Sequence, residues 1–198
     1  MNSLGTQRLE TSRLILRRAT SDDAPAMYKN WVCDPEVTKY LTWSPYKSLD
    51  EAHDYIREQI ERWEHDDSFY DWFIELKSIG EVIGTIGFVR SNLDIASFDV
   101  GYAIGRAWWG QGIVAEALAE VERFAFEEIG ANRLVGQHDV NNPNSGKVMQ
   151  KCGMTYEGTL RQAARNNQGI VDICQHSIIA ADYFLGKSPN NEVIHLES

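Results

Sequence analysis

The segment W-W-G-Q-G-I-V-A-E-A, residues 108–117, carries the most informative pattern in this chain. It follows an apolar run, F-D-V-G-Y-A-I at 98–104, and precedes a helix-like stretch that ends near Glu128. Gly110, Gly112 and Ala115 fit G-x-G-x-x-A, a variant of the dinucleotide-binding fingerprint. Glycines before a helix let backbone N–H groups and the positive helix end approach a phosphate. The segment therefore predicts a site for a phosphate-bearing cofactor.

The surrounding elements argue against a doubly wound nucleotide-binding sheet. Three β-like runs, at 70–77, 80–90 and 95–104, are separated by short turn-like segments, which predicts antiparallel neighbours. A doubly wound sheet needs repeated βαβ units, and only one clear crossover helix follows. Asp139, at the end of the next strand, still imitates the acidic residue of a dinucleotide site. A nicotinamide-binding oxidoreductase therefore stays open as an alternative.

Composition indicates an acidic protein with one core. A chain of 198 residues with 43% hydrophobic content can bury one substantial core, so we predict a single domain over 1–184 and a polar tail at 185–198. The formal charge of −10 disfavours nucleic acid and anionic membranes as partners and favours an amine-bearing partner.

Cysteine usage and the N-terminus indicate a soluble cytoplasmic protein. The three cysteines show no C-x-x-C spacing, so we expect neither a metal site nor a disulfide framework. No charged-then-apolar leader opens the chain, and no apolar run approaches the ~18 to 20 residues of a membrane span.

The remaining patterns complete a sheet of seven strands. Ser48 and Glu51 form a capping box that opens a helix with Ile56, Ile60 and Trp63 on one face. Further strands are predicted at 13–18, 133–140, 154–163 and 169–180, and helices at 112–129 and 141–153. Along the fourth strand, alternation places Asp99, Gly101 and Ala103 on one small face, against which a thin extended ligand could lie. Close helix–sheet packing is the other explanation of these small residues.

Several segments in order resemble the GNAT superfamily of acetyl-coenzyme A-dependent acyltransferases, in particular the branch of ribosomal-protein N-terminal acetyltransferases. They are R-L-E-T-S-R-L-I-L-R-R at the N-terminus, G-Y-A-I-G-R-A-W-W-G-Q-G-I-V-A-E-A, N-N-P-N-S-G-K-V-M-Q-K-C-G-M, and Y-E-G-T-L-R with the later Asp172. The resemblance extends to about Phe184. Trp109 occupies the place of the superfamily's Gln or Arg, and Val114 departs from an expected Gly or Ala, so the helix start is expected to be more crowded.

The resemblance implies an α/β fold with a mixed, mostly antiparallel seven-stranded sheet, splayed between its fourth and fifth strands and flanked by helices. Acetyl-coenzyme A would enter the split, with its pyrophosphate on the amides of residues 111–115 and its pantetheine along residues 102–104. The cofactor-binding residues implied are Tyr102, Ala103, Ile104, Trp109, Gly110, Gln111, Gly112, Ile113, Val114, Ala115, Asn142, Ser145 and Lys147.

Transfer of an acetyl group to an amine needs a neutral amine, an oxyanion stabiliser and a proton source for the thiolate. A backbone N–H near Ile104 could polarise the thioester carbonyl. The resemblance implies that Ser145 donates to the thiolate. Asn142 and Ser145 also suit a simple helix start, with Asn142 as the N-cap. Asp99 is the first candidate base, acting through a water, and Glu157 the second.

Weaker candidates for proton transfer are His138, Asp139 and His176, because a lone strand histidine is more often structural. The acceptor implied is a primary amine, in this branch a protein N-terminus. A polyamine, an amino sugar or an antibiotic shares the same chemistry, and a non-catalytic acyl-coenzyme A sensor is a further alternative. Segment 30–70 is expected to build the acceptor pocket. Most of its aromatic residues are expected to lie in the core, as large aromatic side chains usually do. A homodimer stays open.

Overall fold

A computed structural model describes residues 2–186, which form one sheet flanked by helices. The strands are β1 (Leu9–Glu10), β2 (Leu14–Arg17), β3 (Asp71–Leu76), β4 (Glu81–Asn92), β5 (Ser97–Ile104), β6 (Arg133–Asp139), β7 (Thr155–Asn166) and β8 (Gly169–Ile179). The α-helices are α1 (Ala24–Met27), α2 (Pro35–Thr38), α3 (Leu49–His65), α4 (Ile113–Arg123), α5 (Pro143–Lys151) and α6 (Ala180–Gly186). Wider π-type turns continue α1 over Tyr28–Val32 and α4 over Phe124–Ile129.

The strands are ordered β1-β2-β3-β4-β5-β6-β8-β7, and each neighbouring pair is antiparallel except β5 and β6, which are parallel. The predicted α/β fold with a mixed, mostly antiparallel sheet is confirmed. The count differs, because the sheet has eight strands rather than seven. The additional strand, β1, spans two residues, which is too short to show an alternating pattern.

The sheet opens between β5 and β6. These strands are paired from Ser97 with Arg133 to Val100 with Gly136, and the pairing stops there. Beyond that point β5 continues to Ile104 against β4, while β6 continues to Asp139 against β8. The carboxyl-terminal halves of the two parallel strands therefore diverge, at the predicted place.

Each face of the sheet has its own core. On one face, α4 and α5 pack on the sheet through Leu118, Val121 and Met149, together with the buried strand residue Val100. On the other face, α1 and α3 bury a second cluster that includes Ile56, Trp31 and Trp63. The predicted apolar face of the helix after the glycines is confirmed, because Val114, Leu118, Val121 and Ala125 are all buried.

The local signals at the ends of α3 and of the α4 extension are met in part. Ser48 accepts from the Glu51 amide as predicted, but the Glu51 carboxylate accepts from the Lys47 amide, so the capping box is only half formed. Gly130, in the left-handed region at φ 79°, ends the α4 extension as predicted.

The carboxyl-terminal helix α6 runs through Gly186, two residues past the predicted domain boundary at 184. Most of the predicted polar tail, residues 187–198, lies outside the described residues. Among residues 2–186, no helix combines the length and the apolar character that a membrane crossing requires.

A buried carboxyl on α4 predicts a pH-dependent stability. Glu122 is 3% exposed, its Oε1 has no hydrogen-bond partner, and burial raises its pKa to about 8. Between about pH 5 and 8 the unfolded chain ionises this carboxyl and the folded chain does not, so stability falls with rising pH, by at most about 1.4 kcal/mol per pH unit. We expect Glu122→Gln to flatten this decline, measured as the free energy of unfolding in urea.

The matched control for this prediction is Glu64→Gln, which changes an exposed glutamate on α3. That variant should keep the pH dependence of the wild-type protein. Parallel curves for Glu122→Gln and the wild type would contradict the assignment.

Candidate functional site

The loop before α4 is shaped by two glycines. Gly110 and Gly112 have φ of 74° and 72°, in the left-handed region that residues with a side chain rarely adopt. They lie on either side of Gln111, whose side chain is tied back to the Ala107 carbonyl at 2.9 Å. The turn ends directly at the first residue of α4, Ile113, so the free amides of the first helical turn are uncovered at the loop.

Two cations flank this helix start, and neither was predicted from the sequence. A Cβ placed on Gly112 would lie 3.6 Å from Lys151 Nζ and 3.9 Å from an Arg13 guanidinium nitrogen. A cavity of about 370 Å³ beside the loop is lined by Arg13, Gln111, Gly112 and Lys151, among others. Positive side chains and a helix N-terminus around a glycine suit a phosphate group.

Arg13 is held in place by a glutamate of α4. Its Nε donates to Glu116 Oε2 at 2.6 Å, and its Nη1 donates to the Gln111 carbonyl at 3.0 Å. Although burial raises the pKa of Glu116, hydrogen bonds from Thr11 and Arg13 lower it to about 2. Glu116 therefore stays ionised and fixes the N-terminal segment against the glycine loop. These partners are about 100 residues apart in sequence, so no local pattern reveals them.

Ile113, Val114 and Ala115 are buried, so they can contribute only backbone amides to a ligand. Val114, where the resemblance implies a more crowded helix start, is 9% exposed and packs in the core. Trp109 is 47% exposed, and its indole Nε1 donates to the Ile104 carbonyl at 3.0 Å. That bond ties the glycine loop to the end of β5.

The open edge of β5 presents backbone donors to the split. The Gly105 amide donates to the Ile83 carbonyl of β4, and backbone direction alternates along a strand. The amides of Tyr102 and Ile104 therefore point away from β4, toward the diverging strand β6. Ala103, the residue between them, directs its backbone to β4 and its side chain to the α1–α3 core. An extended ligand in the split would meet two free N–H groups.

Ser145 lies in the first turn of α5, across the split from β5. Its Oγ is 2.8 Å and its carbonyl oxygen 3.1 Å from the Tyr102 hydroxyl oxygen, so the single phenolic hydrogen has two acceptors on Ser145. The next residue, Gly146, leaves room for His138, because a Cβ there would lie 2.6 Å from His138 Nε2. The structure thus brings together Ser145, the open edge of β5 and the glycine loop.

Asn142 occupies the N-cap position of α5, but its side chain makes no capping hydrogen bond. The prediction that Asn142 caps the helix with its side chain is wrong. The turn is built by backbone bonds instead, from the Asn142 amide to the Asp139 carbonyl and from the Ser145 amide to the Asn142 carbonyl. The Asn142 side chain is therefore not used to cap the helix. Lys147 lies exposed on the same helix, four residues before Lys151.

Asp99 lies on the opposite face of β5 from Tyr102, two residues before the start of the split. It is half-buried and borders Arg90, its neighbour on β4, and Arg133 on β6. Burial raises the pKa of Asp99, and the two arginines partly oppose that rise. Asp99 thus sits on the face of the sheet that is opposite to Ser145.

Glu157 is not brought to the split. It pairs with Arg133 at the start of β6, whereas the split lies at the far end of that strand. Hydrogen bonds from Arg133, then Gln175 and Ser177, lower the pKa of Glu157 to about 2 against the effect of burial. A carboxylate held by three donors is a weak base, so this geometry gives Glu157 a structural place.

The weaker candidates are also engaged in structural contacts. The Asp139 carboxylate accepts from Asn141 and from Asn166 Nδ2, the latter at 2.7 Å. The rings of His138 and His176 stack with centroids 5.3 Å apart, and burial, followed by the charge of His138, lowers the pKa of His176. Within residues 2–186, no cluster of three or more His, Cys, Asp or Glu side chains is arranged to hold a metal ion.

The β7–β8 hairpin closes one side of the face that carries Asp99. At its tip, Asn167 Nδ2 donates to the carbonyls of Thr38 and Trp43, both at 2.8 Å, and the Asn167 amide donates to the Leu41 carbonyl at 3.1 Å. These bonds form a bridge between the hairpin and the α2–α3 loop, called the hairpin bridge below. Asparagine suits a turn by composition, but its partners, over 120 residues away, could not be predicted.

Two pairs of aromatic residues in segment 30–70 occupy different places. Trp31 and Trp63 are buried in the core with Phe73. Trp43 and Tyr46 are half-buried in the loop at the hairpin bridge, with ring centroids 5.7 Å apart. The second pair lies beside the face that carries Asp99.

Comparisons with known proteins identify the family of this chain. The family model described as "Acetyltransferase (GNAT) domain" matches residues 13–155. Among curated proteins, the uncharacterised N-acetyltransferase p20 of Bacillus licheniformis is 29% identical over 89% of this chain and 98% of its own length. The [ribosomal protein uS5]-alanine N-acetyltransferase of Escherichia coli is 27% identical over 76% of this chain and 79% of its own length.

Solved structures share the fold. RimL, a ribosomal alpha-N-protein acetyltransferase solved in complex with coenzyme A, superposes with a TM-score of 0.77 at 21% identity, over 87% of this chain and 98% of that chain. The family match covers well over half of the chain and includes the glycine loop, the split and α5. The chain belongs to the GNAT family and is an acetyl-coenzyme A-dependent N-acetyltransferase.

Proposed function

We propose that this protein transfers the acetyl group of acetyl-coenzyme A to the N-terminal amine of a protein or peptide, by direct attack within a ternary complex. The main support for this transfer is the split in the sheet. The free amides of β5 lie on one side of the split, and the Ser145 hydroxyl lies on the other. The similarity to the uS5-alanine acetyltransferase supports the choice of acceptor.

The residues at the glycine loop fit the phosphates of this cofactor. The left-handed backbone conformation of Gly110 and Gly112 leaves the amides of residues 111–115 accessible to a ligand. Arg13 and Lys151 supply positive charge beside these amides. Lys147 extends the cationic surface along α5. When bound, the cofactor supplies an activated thioester whose pantetheine arm would follow residues 102–104, with Trp109 and Asn142 at the borders of the loop and of the split.

The two proton transfers of the reaction take place on opposite faces of the sheet. On the face of α1 and α3, Asp99 accepts a proton from the attacking amine through a chain of waters, because five strand residues, about 16 Å, separate it from Ile104. In the split, the Ile104 amide stabilises the charge that develops on the thioester oxygen. On the face of α5, Ser145 donates its hydroxyl hydrogen to the sulfur as the C–S bond breaks. The nitrogen loses one proton and the sulfur gains one, so the reaction balances.

The hairpin bridge favours a chain end as acceptor. It connects the β7–β8 hairpin to the α2–α3 loop through backbone carbonyls, so the acceptor face is bounded on that side. A flexible N-terminus can enter a face bounded in this way more easily than the flat surface of a folded protein. The formal charge of −10 also favours an amine-bearing partner.

Peptides with free N-termini test this proposal. We expect thiol release and a mass increase of one acetyl group with peptides that begin with alanine or serine, and no reaction with the same peptides blocked at the N-terminus but carrying an internal lysine. Spermidine and an aminoglycoside serve as competing acceptors. A higher kcat/KM for either small amine than for every peptide would overturn the choice of acceptor. Tight binding of acetyl-coenzyme A without transfer to any amine would favour a sensor.

A further inference from the structure

The Tyr102 hydroxyl spans the split in the sheet. Its oxygen lies 2.8 Å from Ser145 Oγ and 3.1 Å from the Ser145 carbonyl oxygen, linking β5 to the first turn of α5. The tyrosine ring packs against the core under α4 and α5. Among the described residues, no other side chain forms a hydrogen bond with Ser145 Oγ. Tyr102 is therefore the side chain that orients the serine hydroxyl.

A phenol has one hydrogen to donate, and Ser145 offers two acceptors, its Oγ and its carbonyl oxygen. In the described part of the chain, only one of these two oxygens has another hydrogen-bond partner. Inside a helix, a carbonyl accepts from the amide four residues later, so the Ser145 carbonyl has a partner of its own. The Oγ has none besides Tyr102. When the serine hydrogen points toward a ligand in the split, the phenolic hydrogen is available to Oγ.

The environment keeps the phenol protonated. Burial raises the pKa of Tyr102 above its ordinary value, which outweighs the effect of the hydrogen bond with Ser145. Tyr102 is therefore a hydrogen-bond donor at any pH at which the protein is folded and active. A phenol is also a stronger acid than an aliphatic hydroxyl, so it stabilises negative charge on a serine oxygen well.

We propose that Tyr102 is a positioning residue for acetyl transfer, which orients Ser145 Oγ and donates a hydrogen bond to it as the serine hydrogen moves to the leaving sulfur. The inference rests on the role of Ser145 proposed above. Tyr102 keeps its own proton: the C–S bond breaks, the sulfur takes the serine hydrogen, and the serine oxygen regains a proton from solvent. This role is distinct from the contact between the β5 backbone and the pantetheine arm.

Tyr102→Phe tests the inference because it removes only the hydroxyl. We expect kcat with an N-terminal alanine peptide to fall about 10- to 100-fold, the range for a hydrogen bond to a developing charge. The KM for acetyl-coenzyme A should change less than about twofold, since the backbone of β5 is unaltered. Tyr70→Phe is the matched control, because this buried tyrosine bonds backbone groups of Leu4 and Asn2, away from the split.

A double-mutant cycle separates action through Ser145 from any other effect. If Tyr102 acts through Ser145, then Tyr102→Phe in the Ser145→Ala background should cost no further activity. Independent, multiplying losses would overturn the inference, as would wild-type kcat in Tyr102→Phe.

A readout without an acceptor distinguishes this inference from the proposed function. Ultraviolet absorbance reports the thiolate of bound coenzyme A, with the complex of desulfo-coenzyme A as the blank. If Ser145 and Tyr102 stabilise charge on the sulfur, the pKa of the bound thiol should rise in Ser145→Ala and, by a smaller amount, in Tyr102→Phe. An unchanged thiol pKa in Tyr102→Phe overturns the inference whatever the acceptor is. A raised pKa in a protein that acetylates no peptide retains the inference and overturns the acceptor.

Discussion

Replacing Gly112 with glutamate is expected to abolish measurable binding of acetyl-coenzyme A. Gly112 has a φ of 72°, and a Cβ there would enter the space between Lys151 and Arg13. A glutamate would pair with these cations and place negative charge where the phosphates would lie. The left-handed backbone adds about 1–2 kcal/mol of strain. Calorimetric titration should show the dissociation constant rising at least about 100-fold, since charge repulsion and lost phosphate contacts add to the strain.

The matched control is Gly80→Glu. Gly80, in the turn between β3 and β4, also has a positive φ, 65°, and a Cβ added there would meet no heavy atom within 4 Å. The control carries similar strain and the same added charge at a distance from the glycine loop. It should lose stability and keep its affinity for the cofactor. Near-normal affinity in Gly112→Glu would refute the placement of the phosphates.

Removing the Ser145 hydroxyl is expected to lower turnover about 100- to 1,000-fold, which lies within the range for loss of a positioned general acid. The thiolate would then leave without a proton donor. Because Ser145→Ala leaves the amides of β5 and the glycine loop unchanged, the affinity for acetyl-coenzyme A should stay within about twofold of the wild type. Steady-state kinetics with an N-terminal alanine peptide, together with calorimetry, measure the two quantities.

Ser177→Ala is the control for this experiment. The Ser177 hydroxyl likewise hydrogen-bonds a side chain, that of Glu157, but it lies on β8 near the start of β6 and away from the split. Its loss should leave kcat unchanged. Wild-type turnover in Ser145→Ala would remove Ser145 from the mechanism and would leave only its place in the first turn of α5.

Local patterns were informative wherever one segment builds a feature. The spacing of Gly110 and Gly112 before an amphipathic helix is sufficient to predict a loop with free amides, because both the turn and the helix depend on neighbouring residues. Alternation along 97–104 correctly assigned Tyr102 and Asp99 to opposite faces of the strand. The same local logic failed for Asn142, since the backbone of the turn supplies the bonds that its side chain was expected to make.

Tertiary structure decided the features that join distant segments. Glu157 was a reasonable candidate base from its position on a strand, yet Arg133, 24 residues earlier in sequence, binds it away from the split. Arg13 and Lys151 gained significance only where the fold placed both beside Gly112. Likewise, the Tyr102–Ser145 contact spans 43 residues and the hairpin bridge more than 120.

By itself the sequence determined the strand and helix order, the glycine loop and the likeness to the acetyltransferase family, because these depend on short-range spacing. The tertiary structure alone decided which charges surround the loop, which carboxylate is tied into an ion pair and which side chain contacts Ser145 Oγ. The physical reason is that hydrogen bonds and ion pairs act over about 3 Å in space, while residue order constrains only the neighbours along the chain.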